Sequence, residues 1–196
     1  MEAKVKLLGH PVHPMLIVFP LGLLSTGVIF DIIGLVANDA RWMVMAFYLI
    51  GAGVIGGLAA AVFGWVDWFA IPGATRAKRI GLWHGVGNVI VLGLFILSWL
   101  LRRDTPPVPP TGAVVASVAG LVLALVTGWL GGELVDRLGV GVDDGAHLNS
   151  PSSLSALPAS TGRAPVESPR YVGRERRVQP VPSYTGVERR RTAGAR

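Results

Sequence analysis

The sequence predicts an all-α membrane protein in which a bundle of four transmembrane helices is followed by a disordered, basic C-terminal tail. Hydrophobic residues make up 51% of the chain and charged residues only 15%, well below the quarter that is typical of soluble domains. Four apolar stretches are long enough to cross about 30 Å of hydrocarbon as helices. The alternating segments of a membrane barrel are absent from the sequence, and backbone groups in lipid must be satisfied internally, so the spans are predicted to be helical.

Apolar runs and the breakers between them give the order of the elements. The predicted parts are an N-terminal cytoplasmic collar (1–14), the transmembrane domain (15–142) and the tail (143–196). The predicted spans are residues 15–36, 42–65 with an extension to 71, 82–101 and 113–134. Pro20 predicts a kink in the first span. Apolar periodicity stops near residue 145, and Ser, Pro and Arg dominate beyond it, so no secondary structure is predicted there.

The distribution of lysine and arginine predicts the orientation of the bundle. With four crossings, the N-terminus, the loop between the second and third spans and the tail lie on one side. Before the tail, that side carries Lys4, Lys6, Arg137 and, in the loop, Arg76, Lys78 and Arg79. The opposite side carries Arg41, Arg102 and Arg103. Both termini are therefore predicted to be cytoplasmic, with the lipid bilayer of the cell membrane as the partner of the spans.

One face of the second span is lined by small residues. Gly53, Gly57, Ala60, Gly64 and Asp67 follow one another at intervals of four and three, which places them on one side of a helix. Small residues let helices approach closely in lipid, so this face is predicted to pack against a neighbour. The third span has a comparable face, which comprises His84, Asn88, Val91, Phe95 and Ser98.

Most of the chemically versatile side chains are predicted to gather at the cytoplasmic end. His10 and His13 each precede a proline, which favours extended geometry at both, and they stand where the first span begins. His84 opens the third span, whereas Asp67 ends the second and Glu133 the fourth. Ionisable groups at membrane depth tend to face the interior of a bundle. The alternation of crossings then brings all five residues to one level.

Three roles are open for these histidines. In the first, they form a structural polar cluster that hydrogen-bonds to Asp67, Glu133 or lipid headgroups. In the second, His84 and either His10 or His13 are axial ligands of haem b, because imidazole suits iron and helical bundles hold cofactors between facing helices. In the third, the three histidines and Asp67 or Glu133 hold one divalent transition metal ion such as zinc, iron or manganese.

Other classes of function have little support in the residues. The chain has no cysteine, which excludes disulfides, Cys-ligated zinc and iron–sulfur clusters. No serine or threonine in the spans has an obvious base, so the chain is not predicted to be an enzyme on its own. Asp31 lies about 27 Å along the first span from His13 and stands apart from the cluster. There is no specific signal for nucleic-acid binding, and the oligomeric state is open.

The tail contains an internal repeat. Residues 171–177 and 184–190 share the pattern Tyr-x-Gly-x-Glu-Arg-Arg. Two functions fit it, namely docking to a protein partner and attraction to anionic lipid at about 1 kcal/mol per cation. The alternative is a solvated, charged tail without a partner.

Four motifs occur over about residues 7–142, namely Gly9-His-Pro-Val-His-Pro14, Gly64-Trp-Val-Asp-Trp68, Trp83-His84 and Gly131-Gly-Glu-Leu-Val135. On these motifs the chain resembles the DUF2231 family of bacterial membrane proteins. The family pattern often continues with Tyr-Arg-His, whereas this chain has Asp136-Arg-Leu138, so one family histidine is missing. The resemblance implies a bacterial membrane protein of unassigned function. Because some relatives occur beside redox domains, it also implies a link to electron transfer and a redox partner.

Overall fold

The computed structural model describes residues 1–162. Four helices in it are long and apolar enough to cross a membrane, namely Val12–Ala37, Ala40–Ala70, Arg76–Arg102 and Thr111–Arg137. These helices carry large apolar side chains outward as well as inward. Val36, Ile55 and Leu125, for example, are 84%, 72% and 68% exposed. A helix that is apolar on all sides needs lipid or protein around it, so the predicted four-helix membrane bundle is confirmed.

The first span is broken near its start. Helix α1 comprises Val12–Leu16 and helix α2 comprises Val18–Ala37. The break follows Leu16 because Pro20, four residues later, has no N–H to donate to the Leu16 carbonyl and its ring crowds that carbonyl. His13 is the second residue of α1, so the extended geometry predicted there is wrong; Pro14 is tolerated in a first turn, where N–H groups have no helical partner.

Helices α3 (Ala40–Ala70) and α4 (Arg76–Arg102) both begin at side-chain caps. The carboxylate of Asp39 accepts a hydrogen bond from the N–H of Arg41 at 3.0 Å. The hydroxyl of Thr75 accepts one from the N–H of Lys78 at 3.1 Å. The cap at Thr75 starts α4 at Arg76 rather than at residue 82. The three cations predicted in the preceding loop, Arg76, Lys78 and Arg79, therefore lie in the first turn of this helix.

The fourth span, helix α5, runs over Thr111–Gly132 and continues as one π-helical turn, Glu133–Arg137. Helix α5 packs mainly along α4, and α2 mainly along α3. The bundle is therefore two helical hairpins, the N-terminal hairpin (residues 12–70) and the C-terminal hairpin (residues 76–137). Their shared core is built from Leu24, Val28, Ile50, Val91 and Phe95.

A short β-hairpin precedes the helices. Strand β1 (Lys6–Leu7) pairs antiparallel with strand β2 (His10–Pro11). The two residues between the strands, Leu8 and Gly9, have φ values of 53° and 82°, which is the left-handed geometry that tight two-residue turns require. A side chain at Gly9 would also meet Ser153, at 2.8 Å, so the turn lies against the segment that follows the fourth span.

The segment after the fourth span forms only turns and bends over residues 143–162, with no helix or strand in that range. It contacts the N-terminal residues, since the Asp144 N–H donates to the Glu2 carboxylate at 3.4 Å. The two Tyr-x-Gly-x-Glu-Arg-Arg repeats lie outside the described residues. Their predicted docking or lipid role, and the predicted three-part division of the chain, stay predictions.

Candidate functional site

His13 joins the start of the first span to α3. Its Nδ1 lies 2.9 Å from the carbonyl oxygen of Ala60. A carbonyl oxygen can only accept, so Nδ1 carries a proton in this contact. The ring rests on Gly64, where a side chain would stand 2.8 Å from the imidazole Cε1. The small-residue face of α3 thus makes room for this histidine.

His84 makes the same contact between the two helices of the C-terminal hairpin. Its Nδ1 lies 2.8 Å from the carbonyl oxygen of Thr127, and a side chain at Gly131 would stand 3.0 Å from its Cε1. Asn88 completes the site, because its amide donates to the backbone carbonyl of His84 at 2.9 Å and its oxygen accepts from the Thr127 hydroxyl at 3.0 Å. We call the contacts of His13 and His84 the two histidine joints.

The other residues predicted for the histidine cluster have separate partners. Ser153 Oγ lies 3.1 Å from Nε2 of the exposed His10. Asp67 accepts from the backbone N–H of Lys4 at 2.7 Å.

Glu133, for its part, is paired with Arg76 at 2.5 Å. Among residues 1–162, no three His, Asp or Glu side chains are grouped as a metal ion would need. The predicted metal site therefore has no support in this geometry, and haem ligation stays a prediction.

A second polar site, which sequence reasoning missed, lies toward the other ends of the spans. Arg102 donates to both carboxylate oxygens of Asp31, at 2.7 Å and 2.9 Å. Two hydroxyls complete the network, because Ser98 accepts from Arg102 at 2.9 Å and Ser117 donates to Asp31 at 3.2 Å. All four residues are fully buried. We call this group the buried ion pair.

Arg102 was predicted to lie beyond the third span as a loop cation, and that prediction is wrong. It is the last residue of α4 and its side chain is 0% exposed. A signal for this was present in the sequence, because Phe95, Ser98 and Arg102 are spaced by three and four residues and continue the predicted inner face of α4. The sequence predicts no partner for Asp31, whereas the structure pairs it with Arg102.

The end of the bundle that carries the histidine joints is rich in charged and aromatic groups. Lys78 donates to the Trp68 carbonyl at 2.7 Å and lies 3.9 Å from the centre of the Trp68 ring, while the indole N–H donates back to the Lys78 carbonyl. At the β-hairpin, Lys6 pairs with Glu2 and Asp143. These contacts raise the pKa of Lys6, with Asp143 the larger cause, and the hydrogen bond from Lys6 lowers the pKa of Glu2.

The match to a protein family covers both polar sites. A family model described as "Predicted membrane protein (DUF2231)" matches residues 9–144, from the turn of the β-hairpin to beyond the fourth span. The chain belongs to this family. The resemblance of the DUF2231 motifs is thereby confirmed, and the family description agrees with the four apolar helices. No curated protein and no solved structure matches the chain.

Proposed function

We propose that this DUF2231 protein is a multi-pass component of a bacterial cytoplasmic membrane and that its histidines form a structural polar cluster. In this proposal His13 and His84 each fasten the first helix of a hairpin to the second. The observation that carries it is the repetition of one contact, in which an Nδ1–H donates to a backbone carbonyl and the ring rests on a glycine. Interhelical hydrogen bonds of this kind hold helices together where no hydrophobic force acts between them.

The distribution of cations supports placing the histidine joints at the cytoplasmic face. Arg102 is buried with Asp31 and so leaves the count of loop cations on the opposite side. Arg41 and Arg103 remain there, against the six cations counted on the side of the joints. Lysine and arginine accumulate in cytoplasmic loops. Because Arg102 no longer counts as a loop cation of the opposite side, the difference in loop cations between the two sides is larger and supports the proposed orientation more strongly.

The structural role is tested by alanine substitution in the purified full-length protein in detergent. His13→Ala and His84→Ala each remove an interhelical hydrogen bond to a carbonyl that keeps its helical partner, so we expect each to destabilise the bundle by about 0.5–1.5 kcal/mol. His10→Ala is the matched control, because His10 is exposed and its ring hydrogen-bonds a serine outside the helices. Equal melting temperatures for all three variants would contradict the proposed role.

Haem b ligation by His13 and His84 is a second candidate, favoured by the contact that Nδ1 of both rings makes with a backbone carbonyl. Protein carbonyls that accept from Nδ1–H are the usual partners of histidines that ligate through Nε2. When bound, haem would supply one-electron chemistry. Of the two ligands proposed opposite His84, His13 fits better than His10 because it lies within the packed helices. An absorption spectrum after haem supplementation tests this candidate: a Soret band that His84→Ala removes would support it, and a colourless protein would refute it.

A further inference from the structure

The two hairpins correspond residue by residue along their first helices. The segments His13–Leu23 and His84–Leu94 are identical at five positions, which include the histidine and the run Leu-Gly-Leu. A displacement of 71 residues relates them. The same displacement relates core and polar positions further along, namely Leu24 to Phe95, Gly27 to Ser98 and Asp31 to Arg102.

Contacts with the second helices repeat with a displacement of 67 residues. This displacement relates Ala60 to Thr127 and Gly64 to Gly131, which are the partners of the two histidine joints. It also relates Gly53 to Gly120. A side chain at Gly53 would meet Leu24 at 2.6 Å, and one at Gly120 would meet Phe95 at 2.9 Å. Equivalent residues therefore make equivalent contacts at two depths of each hairpin, which composition alone does not explain.

This correspondence relates the hairpins by an approximate two-fold axis along the bundle. The contact of α3 with α4 and the contact of α2 with α5 are then equivalent interfaces, and both occur. Two equivalent residues can touch each other only near such an axis. Asp31 and Arg102 are equivalent and touch, so the buried ion pair marks the place where the hairpins face one another.

We propose that the chain is a tandem repeat of one helical hairpin and that Asp31 and Arg102 determine which hairpin pairs with which. Two N-terminal hairpins from separate copies would bring aspartate against aspartate at the axis, and two C-terminal hairpins would bring arginine against arginine. Like charges without partners are very costly at membrane depth. Only an N-terminal hairpin facing a C-terminal one is electrically matched, so the pair selects against the wrong partner.

The repeats differ where the ion pair needs support. Ser98 stands where the N-terminal hairpin has Gly27, and Ser117 stands where it has Ile50. Both serines bind the ion pair, with Ser98 accepting from Arg102 and Ser117 donating to Asp31. The C-terminal hairpin therefore carries hydroxyls that the N-terminal hairpin lacks at equivalent positions. This asymmetry is expected if the axis position was specialised for unlike partners.

Charge reversal and charge exchange in the full chain test this proposal. We expect Asp31→Arg and Arg102→Asp, made singly, to lower the melting temperature in detergent by on the order of 10 °C or to prevent accumulation of folded protein. The double variant, with the two charges exchanged, should recover at least half of the loss. A double variant no more stable than the worse single variant would overturn the proposal.

A neutral variant tests pairing directly and is useful if the reversed chains fail to fold. Asp31→Leu with Arg102→Leu keeps the core filled but removes the charge selection. The natural chain lacks cysteine, so a Val28→Cys reporter, one turn from the axis pair, can form a disulfide only between two copies. We expect disulfide dimers with the leucine pair and none with the natural pair. Equal dimer fractions in both backgrounds would overturn the proposal, and Val36→Cys on the exposed surface controls for random collision.

Discussion

The two ends of the bundle hold polar groups in physically different ways. At the end with the histidine joints, His13 and His84 are half-buried, and each gives one Nδ1–H to a backbone carbonyl. At the other end, Asp31 and Arg102 are fully buried and joined by two charge-assisted hydrogen bonds. The joints fasten helices within a hairpin, whereas the ion pair fastens one hairpin to the other.

The difference concerns what remains when one partner is removed. Without a histidine, the carbonyl of a joint still accepts the hydrogen bond of its own helix, because Ala60 and Thr127 lie inside α3 and α5. Without Arg102, a fully buried carboxylate loses both of its charge-assisted hydrogen bonds and keeps the one from Ser117. The complete burial and the charge of the ion pair therefore make it the more critical of the two sites, although the histidines are far more conspicuous in the sequence.

The largest expected effect comes from breaking the ion pair on one side. Arg102→Met leaves Asp31 buried and unpaired, which should destabilise the bundle by about 3–5 kcal/mol. Arg103→Met is the matched control, because Arg103 is 60% exposed and its pair with Asp104 lies at the surface. Unfolding by graded addition of a denaturing detergent measures both. If the two variants differed by less than about 1 kcal/mol, the contrast between the two ends would fail.

A smaller effect is expected from filling the glycine beneath a histidine joint. Gly64→Ala puts a methyl group 2.8 Å from the His13 ring, which must move away from the Ala60 carbonyl. We expect a loss of about 1–3 kcal/mol, as in other overpacked sites.

Gly128→Ala is the control for that substitution. Nothing lies within 4 Å of the position that its new methyl group would take. Alanine also has a higher helix propensity than glycine. The control should therefore be neutral or mildly stabilising. If both variants behaved alike in the same unfolding assay, the packing of His13 on Gly64 would not matter.

The sequence predicted the spans well because length and apolar composition decide them. The inward-facing sides of α3 and α4 could also be predicted. Helical periodicity places Gly64 and Ser98 on these sides without any knowledge of which helices pack against them. The start of α4 was missed because three cations after Pro72-Gly73 are typical of a loop, and only the cap at Thr75 shows that the helix has already begun.

The candidate sites were harder to predict because they depend on which helices meet. Periodicity placed Asp31 and Arg102 near helix ends, but pairing them requires knowing that α2 and α4 face each other across the axis. The correspondence between hairpins would have indicated it, because both residues stand 18 positions after a histidine. His10, Asp67 and Glu133 lie at the predicted end of the bundle. They nevertheless bind separate partners, because residues at the same level of a bundle need not face one another.

The smallest expected effect concerns the surface contacts of the histidine end, which should respond to pH. Hydrogen bonds from Lys6 and from the backbone of Asp144 lower the pKa of Glu2. A lowered acid pKa means that Glu2 supports the contact above its ordinary value of about 4.3 and loses that support as pH falls toward the lowered value. Spin labels at Ala3→Cys and Ala146→Cys should therefore move apart below about pH 4 while the helices stay folded.

Lys6→Met is the control for this prediction. It removes the main cause of the lowered Glu2 pKa and should leave the labels separated already at neutral pH. If the label distance in the chain with Lys6 stayed constant down to pH 3, Glu2 would not hold this contact.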